Sequence, residues 1–203
     1  MMPPARESLL DAARTALARL PWSAVRMVDV AAAAGVSRQT LYNEFGSKDG
    51  LARALVRREA DGYLAGVERA LAAHTEARDR LTATAEWMAS AARDNALVRA
   101  MVTGCWSERL PAPALSGVPS SSAVVPAQRR ADGPLPSPGD FVRIARDRAV
   151  VALTGPGAAP GDAAGLAVSC ELVVRLAVSC VAAPPGEGGM AALVRDALQH
   201  QRI

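Results

Sequence analysis

Side chains that could bind a polar ligand, with hydroxyl, amide, guanidinium and ammonium groups, are concentrated in one short stretch, GVSRQTLYNEFGSK, at positions 35–48. It supplies Arg38, Gln39 and Thr40 in succession and a second amide, Asn43, four residues after the first. In the major groove of DNA, Arg pairs with guanine, Gln and Asn pair with adenine, and the methyl group of Thr contacts that of thymine. These residue types therefore indicate the recognition of base edges.

The pattern around these side chains predicts the helix that positions them. Leu41 and Phe45 are four residues apart and face inward together with Val36. Gln39 and Asn43 then point the opposite way, where Glu, Lys or Arg would be better helix formers on a merely solvated face. The choice of amides at two outward positions favours a binding role.

The flanking residues predict two short helices joined by a tight turn. The first helix covers about 28–34, and Gly35 occupies the position where a helix end needs a left-handed residue. Ser37 is a natural N-cap for the second helix, which continues through Phe45. In a helix-turn-helix, the second helix enters the major groove and its N-terminal residues meet the bases. The three consecutive polar residues stand at that location.

Lys48 is the only lysine among the 23 basic residues of the chain. It falls in the first turn of a further helix, which Ser47 can cap, and a cation there opposes the helix dipole by ~0.3–1 kcal/mol. A phosphate held jointly by the lysine and the helix N-terminal amides would remove that conflict. We therefore predict that Lys48 anchors a phosphate rather than being an ordinary surface lysine.

Positive charge is concentrated in the same part of the chain. Residues 1–58 hold nine basic and five acidic side chains, so this segment carries +4 while the whole chain carries only +3. A basic N-terminal segment followed by a near-neutral remainder predicts a polyanionic partner.

The segment VDVAAAAGVSRQTLYNEFGSKDGLARAL closely resembles the DNA-binding segment of the tetracycline-repressor (TetR) family of bacterial transcription regulators. The similarity covers about residues 6–58 and rests on the motif A-x-x-x-G-V-S-x-x-T-L-Y-x-x-F-x-S-K, which begins at Ala31 and ends at Lys48. The resemblance implies an all-α fold, with an N-terminal three-helix helix-turn-helix domain. It also implies a C-terminal helical domain that binds a small effector and forms a homodimer through its last two long helices.

The resemblance further implies which residues contact DNA. Phosphates would be anchored by Thr40, Tyr42 and Lys48, and bases would be read by Arg38, Gln39 and Asn43. The full predicted DNA-binding set is Arg26, Ser37, Arg38, Gln39, Thr40, Tyr42, Asn43 and Lys48.

Two positions depart from the common family pattern. Many members have Gly where this chain has Gln39, so a specific base contact at that position is an expectation for this chain. Many members also have Thr at the start of the second helix, where it contacts a phosphate. The local sequence here is VRMVDV, and we expect Arg26 to replace that contact.

Helical patterns extend through the rest of the chain. They predict helices at about 6–20, 48–73, 76–94, 95–109, 162–182 and 188–201, with order also resuming in GDFVRIARDRAVVAL after residue 138. Half of the 14 prolines lie between residues 110 and 138, which predicts a flexible loop. We therefore expect a helix-turn-helix domain at 1–47 and a helical ligand-binding and dimerisation domain at 48–203.

The second domain offers only weak indications of its partners. The helix at 162–182 is apolar nearly all round and must be covered on most sides, which favours a twofold partner over coverage by the rest of the chain. Large apolar residues near the proline-rich loop either line an effector pocket or pack in the core. These candidate ligand-binding residues are Trp87, Met88, Met101, Cys105 and Trp106.

Several protein classes are disfavoured. The apolar run at 163–183 is interrupted by Glu171 and Arg175, and the charged N-terminus lacks the core of a signal peptide, so we expect a cytoplasmic protein without a membrane span. The odd number of cysteines, three, predicts small buried hydrophobes rather than disulfides. We expect no metal site, because His74 and His200 stand isolated, and no cofactor.

Two alternatives to a sequence-specific regulator remain. A nonspecific nucleoid-type binder would show strong salt dependence without sequence preference. A helical enzyme would need a catalytic set, and no Ser/His/acid arrangement or pair of carboxylates stands out in the sequence.

Overall fold

The computed structural model describes residues 4–111, 135–154 and 160–199. Within these ranges the regular elements are all helices, and no β-strand is present. The all-α prediction is therefore confirmed. The helices are α1 (Ala5–Arg19), α2 (Met27–Ala33), α3 (Arg38–Phe45), α4 (Lys48–Leu71), α5 (Ala77–Asp94), α6 (Ala96–Thr103), α7 (Pro138–Leu153), α8 (Pro160–Ala182) and α9 (Gly189–Ala197). A short 3-10 turn, Trp22–Ala24, precedes α2.

The chain divides into two compact units. The first unit comprises the described residues of Met1–Glu59 and Trp106–Leu135, and the second those of Ala60–Cys105 and Pro136–Ile203. Helix α4 begins in the first unit and ends in the second. Most of the predicted proline-rich loop at 110–138 falls on residues 112–134, which lie outside the described part of the chain.

The first unit is built around α1, which packs against α2 and α3. Its core consists mainly of the buried side chains Leu9, Leu10, Ala13, Val25, Val30, Leu41, Leu51 and Leu55. Arg58 of α4 reaches back to α1, where its Nη1 lies 2.7 Å from Asp11 Oδ1 and 3.5 Å from Glu7 Oε2. These ion pairs join the first turns of α1 to the middle of α4.

In the second unit, α8 packs against α5 and α7, and α9 packs against α5 and α8. Both helices carry small buried residues, among them Ala85, Ala89 and Ala92 of α5 and Ala177 of α8, and small side chains allow packed helices to approach closely. Cys170 and Cys180 of α8 are buried, as predicted, and burial raises the pKa of the Cys170 thiol to about 11. Both thiols therefore act as small apolar side chains.

Helix α8 also contains the most apolar long segment of the described chain. Ala164–Ala182 is long and apolar enough, by composition alone, to cross a membrane, with a mean hydropathy of 1.8. Part of this apolar surface packs in the core of the second unit, where Val173 and Val174 are buried. Glu171 pairs with Arg175 at 2.7 Å and with Arg146 of α7 at 3.1 Å. Val168, by contrast, is 62% exposed, so the helix is not covered on all sides by its own unit.

The predicted helix at 95–109 is wrong at its C-terminal end. Helix α6 stops at Thr103, because Gly104 adopts a left-handed conformation with φ 75° and its amide closes the last turn on Ala100 O. Cys105 therefore lies outside the helix and is exposed, which corrects the prediction that all three cysteines are buried.

We predict opposite effects for two alanine substitutions in α4. A Cβ at Gly66 would overlap the indole ring of Trp87, which donates from Nε1 to Tyr63 O at 3.4 Å, whereas a Cβ at Gly62 meets nothing within 4 Å. Replacing Gly by Ala inside a helix gains about 0.8–1 kcal/mol, while overpacking costs about 1–3 kcal/mol. Gly62→Ala should therefore raise the free energy of unfolding by up to about 1 kcal/mol, and Gly66→Ala should lower it.

Denaturant unfolding of the two variants measures this difference. The Trp87→Leu background supplies the control, since Gly66→Ala should lose its penalty once the indole is gone. An equal gain in stability from both glycine substitutions in the parent chain would contradict the described position of the Trp87 ring.

Candidate nucleic-acid interface

Helix α3 is defined at both ends by local interactions. The Ser37 side chain accepts a hydrogen bond from the Thr40 amide at 3.0 Å, which confirms the predicted N-cap. Gly46, with φ 69°, ends the helix, and Gly35, with the same φ, forms the turn from α2. A short helix with fixed ends holds its outward side chains in a defined register.

The burial pattern of α3 separates a core face from a polar face. Leu41 and Phe45 are buried, as predicted. Arg38, Gln39 and Asn43 are exposed, with 40% of Tyr42 also accessible. The structure therefore places the three predicted base-reading side chains together on the open side of the helix.

Two side-chain hydrogen bonds organise this polar face. Gln39 Nε2 donates to Asn43 Oδ1 at 2.8 Å, and the hydroxyl groups of Ser37 and Thr40 share a hydrogen bond of 2.9 Å. Because each bond restricts the rotamers of both partners, the face is partly ordered before any ligand arrives.

Lys48 lies at the N-terminus of α4, where Ser47 Oγ accepts from the Gly50 amide at 3.0 Å. The Lys48 Nζ donates to Ser23 O at 3.1 Å and lies 5.5 Å from the centre of the Trp22 ring. An ammonium group has three N–H donors, so two remain for an external acceptor. The carbonyl and the ring hold the charge beside the α4 N-terminus, where an anion is favoured.

Arg26 lies at the N-terminus of α2, as its predicted phosphate contact requires, but it already has a partner. Its Nε and Nη2 donate to the two carboxylate oxygens of Asp29 at 2.7 and 2.9 Å, and these hydrogen bonds raise the pKa of Arg26. A guanidinium has five N–H donors. The fork toward Asp29 thus leaves donors on Nη1 and the outer edge of Nη2 for an external acceptor.

One residue that supports α3 was not predicted from the sequence. Arg6 of α1 donates to the Glu44 carbonyl at 3.4 Å, lies 3.6 Å from the Glu44 carboxylate and places its guanidinium 4.8 Å from the centre of the Phe45 ring. A cation at the C-terminal end of a helix complements the helix dipole. Arg6 therefore fixes the last turn of α3 to α1.

The five predicted ligand-binding residues differ in burial and in the unit to which they belong, and their role stays a prediction. Met88 and Met101 are buried in the second unit, Trp87 covers Gly66, and Cys105 is exposed beyond α6. Trp106 belongs to the first unit.

An open groove of ≈ 460 Å³ lies elsewhere in the second unit, between α4, α5 and α7. Its apolar lining includes Leu71, Ile144 and Val151, and charged groups on its wall include Arg80 and Arg148. The groove is lined by none of the five predicted ligand residues. Across the described ranges, no group of three or more His, Cys, Asp or Glu side chains is placed to hold a metal ion.

Comparison with known proteins identifies the N-terminal segment. Residues 9–55 match the family model described as bacterial regulatory proteins, tetR family. The chain is 51% identical over 69 residues to the HTH-type transcriptional regulator AlkX of Mycobacterium tuberculosis, which is 34% of this chain and 33% of AlkX. It is 38% identical over 81 residues to the HTH-type transcriptional activator FasR of Mycolicibacterium smegmatis, covering 40% and 37% of the two chains. The matches thus span little more than a third of these relatives.

Solved structures resemble a larger part of the chain. The TetR family repressor AlkX from Dietzia sp., implicated in the biodegradation of n-alkanes, superimposes with a TM-score of 0.52 at 23% identity over 95% of this chain and 92% of its own. A putative TetR-family transcriptional regulator from Rhodococcus sp. gives 0.50 at 22% identity over 96% of both chains. These likenesses concern the fold. The family match itself is carried by residues 9–55, which resemble the tetR family of bacterial regulatory proteins.

Proposed function

We propose that this chain is a bacterial transcriptional regulator that binds a palindromic operator in double-stranded DNA as a homodimer. The observation that carries the proposal is the exposed polar face of α3, on a helix whose ends are fixed by Ser37 and Gly46. Amide and guanidinium groups on a recognition helix are suited to base edges, and hydroxyl and ammonium groups beside it are suited to phosphates.

Each predicted DNA contact then has a distinct role. Arg38 and Gln39 read bases from the exposed face of α3 that they share with Asn43, and Thr40, Tyr42 and Lys48 hold phosphates. Ser37 acts mainly through the cap that orients the first turn of α3. Arg26 contacts the DNA phosphate backbone with the N–H donors that Asp29 leaves free.

The homodimer is the second part of the proposal. Its support is the apolar α8, on which Val168 remains 62% exposed within a single chain. A second copy would cover such side chains and would place two α3 helices on half-sites about one helical turn, ~34–36 Å, apart. The operator should accordingly be a palindrome.

The third part is a small-molecule effector that releases the operator, so that the protein acts as a cytoplasmic repressor. The Dietzia AlkX repressor is implicated in n-alkane degradation, which favours an apolar or amphipathic effector, and the groove beside Leu71 and Ile144 offers an apolar surface for it. The name of FasR, an activator, shows that the sign of regulation differs among relatives. A promoter fusion with and without the regulator measures that sign directly.

The proposal is tested by selecting bound sequences from a pool of random duplexes in the presence of competitor DNA. We expect an enriched palindrome, together with a dimer in sedimentation. Binding without any enriched sequence would instead support a nonspecific nucleoid-type protein, and one asymmetric site occupied by a monomer would contradict the dimeric regulator. Turnover of a candidate effector would indicate an enzyme.

A substitution of Lys48 provides a sharper prediction. Lys48→Gln should weaken operator binding about equally for matched and mismatched sequences. It should reduce the slope of log affinity against log salt by about one per subunit, which is about two for a homodimer with two copies of Lys48. Arg93→Gln is the matched control, because it removes the same charge from an exposed position in the second unit. The phosphate role is wrong if the Lys48 and control variants show the same salt slope.

A further inference from the structure

We infer that Gln39 selects an A·T base pair in the operator and that Asn43 is a positioning residue for Gln39 rather than a reader of a second base. The inference rests on the proposed function, since it concerns the same face of α3. It goes further in naming the base pair and in giving the two amides unequal roles.

The first observation is the direction of the hydrogen bond between the two amides. Gln39 Nε2 is the donor and Asn43 Oδ1 is the acceptor, with 2.8 Å between them. A primary amide has two N–H donors on nitrogen and an acceptor oxygen. Gln39 therefore keeps its Oε1 and one N–H, while the oxygen of Asn43 already uses one of its two lone pairs.

The hydrogen-bonding groups that remain free on Gln39 match those of adenine. In the major groove, adenine offers the N6 amino donor beside the N7 acceptor, whereas guanine offers two acceptors, N7 and O6. A side chain with one free acceptor and one free donor satisfies both adenine groups. Opposite guanine, Gln39 Oε1 would face an acceptor. Turning the Gln39 amide alone would bring Oε1 against Asn43 Oδ1, so reading guanine would require both amides to turn over.

Position on the helix explains why Gln39, not Asn43, is the reader. The N-terminal residues of a recognition helix meet the base edges. Gln39 is the second residue of α3, and Asn43 is one turn later with a shorter side chain. A bidentate contact with adenine would need the oxygen and nitrogen of Asn43 together, and one of the two lone pairs of that oxygen already accepts from Gln39 Nε2, which orients the amide toward Gln39.

The test compares the preference for A·T over G·C at every operator position. The operator is first obtained with the parent chain, and each base pair is then exchanged in turn. Affinities are measured for Gln39→Ala, Asn43→Ala and Asn43→Asp, with circular dichroism to verify the helical fold. Gln199→Ala is the matched control, because Gln199 is an exposed amide that donates to Asp196 Oδ1 at 3.1 Å in the second unit.

We expect Gln39→Ala to remove a preference for A·T of roughly 5- to 150-fold at one base pair in each half-site. Asn43→Ala should reduce the preference at that same base pair. Asn43→Asp should retain it, because a carboxylate still accepts from Gln39 Nε2, although the added negative charge weakens binding to every sequence alike. The control should leave every preference unchanged.

The outcomes separate this inference from the function on which it rests. Loss of preference at two different base pairs in the Gln39 and Asn43 variants would show two independent readers and overturn the inference. So would an Asn43→Asp variant that loses the preference as fully as Asn43→Ala. In both cases the operator would still be bound specifically by the parent chain. Absence of any specific site for the parent chain would overturn the proposed function as well.

Discussion

Phe141→Ala should lower the free energy of unfolding by about 3–5 kcal/mol, the range measured when a buried Phe is truncated. Phe141 of α7 is 1% exposed, and its ring meets the ring of Tyr63 of α4 edge to face, with the centres 5.8 Å apart. The substitution removes the apolar side chain and leaves a cavity among α-helices that cannot fully close. Because domains are stable by only about 5–15 kcal/mol, a large part of the total would be lost.

Urea unfolding followed by circular dichroism measures this loss. Val151→Ala is the control on the same helix, since Val151 is 78% exposed and its truncation should change the stability by no more than about 0.5 kcal/mol. Tyr63→Phe supplies a further check: the Tyr63 hydroxyl is buried and has no hydrogen-bond partner among the described residues, so its removal should not destabilise the chain. Similar losses for Phe141→Ala and Val151→Ala would contradict the buried ring pair.

Leu41→Ala should abolish operator binding at temperatures where the parent chain still binds. Leu41 is fully buried beneath the polar face of α3, and α3 packs on α1 and α2. Truncating a buried Leu costs about 2–5 kcal/mol. The loss falls on the packing that holds α3 in place, so it should displace the base-reading side chains even though none of them is changed.

Leu20→Ala is the matched control, because Leu20 belongs to the same unit but is 46% exposed. It should lower the denaturation midpoint only slightly and leave operator affinity within about threefold, as expected of a surface change below roughly 0.5 kcal/mol. If Leu41→Ala bound the operator as tightly as Leu20→Ala, the recognition helix would not depend on its buried face.

Local features of the DNA-binding segment were predictable from the sequence. The cap at Ser37, the turn at Gly35 and the inward positions Leu41 and Phe45 all depend on residues within one or two helical turns. Capping and helical periodicity act over that range, so a short window contains the information. The sequence pattern predicted too long a helix at α6. Gly104 was included in the helical pattern, although it is the left-handed residue that ends the helix.

Interactions between distant parts of the chain were not predictable in this way. Arg6 and Glu44 are 38 residues apart, and Arg58 and Asp11 are 47 apart. Nothing in the local pattern of these arginines distinguishes them from other basic residues on amphipathic helices, and only the packing of α1 brings the partners together. The groove in the second unit likewise depends on how α4, α5 and α7 meet, which side-chain chemistry alone does not determine.

The position of Lys48 allows the binding of operator DNA to be measured by chemical labelling of the unmodified protein. No other side chain in the sequence carries a primary amine, and this amine is held against Ser23 O beside the Trp22 ring at the N-terminus of α4. An amine-directed reagent will therefore label a single side chain, at the proposed DNA contact. The rate of that one reaction, followed by mass spectrometry as operator is added or an effector releases it, gives the bound fraction without a dye, a tag or an engineered residue.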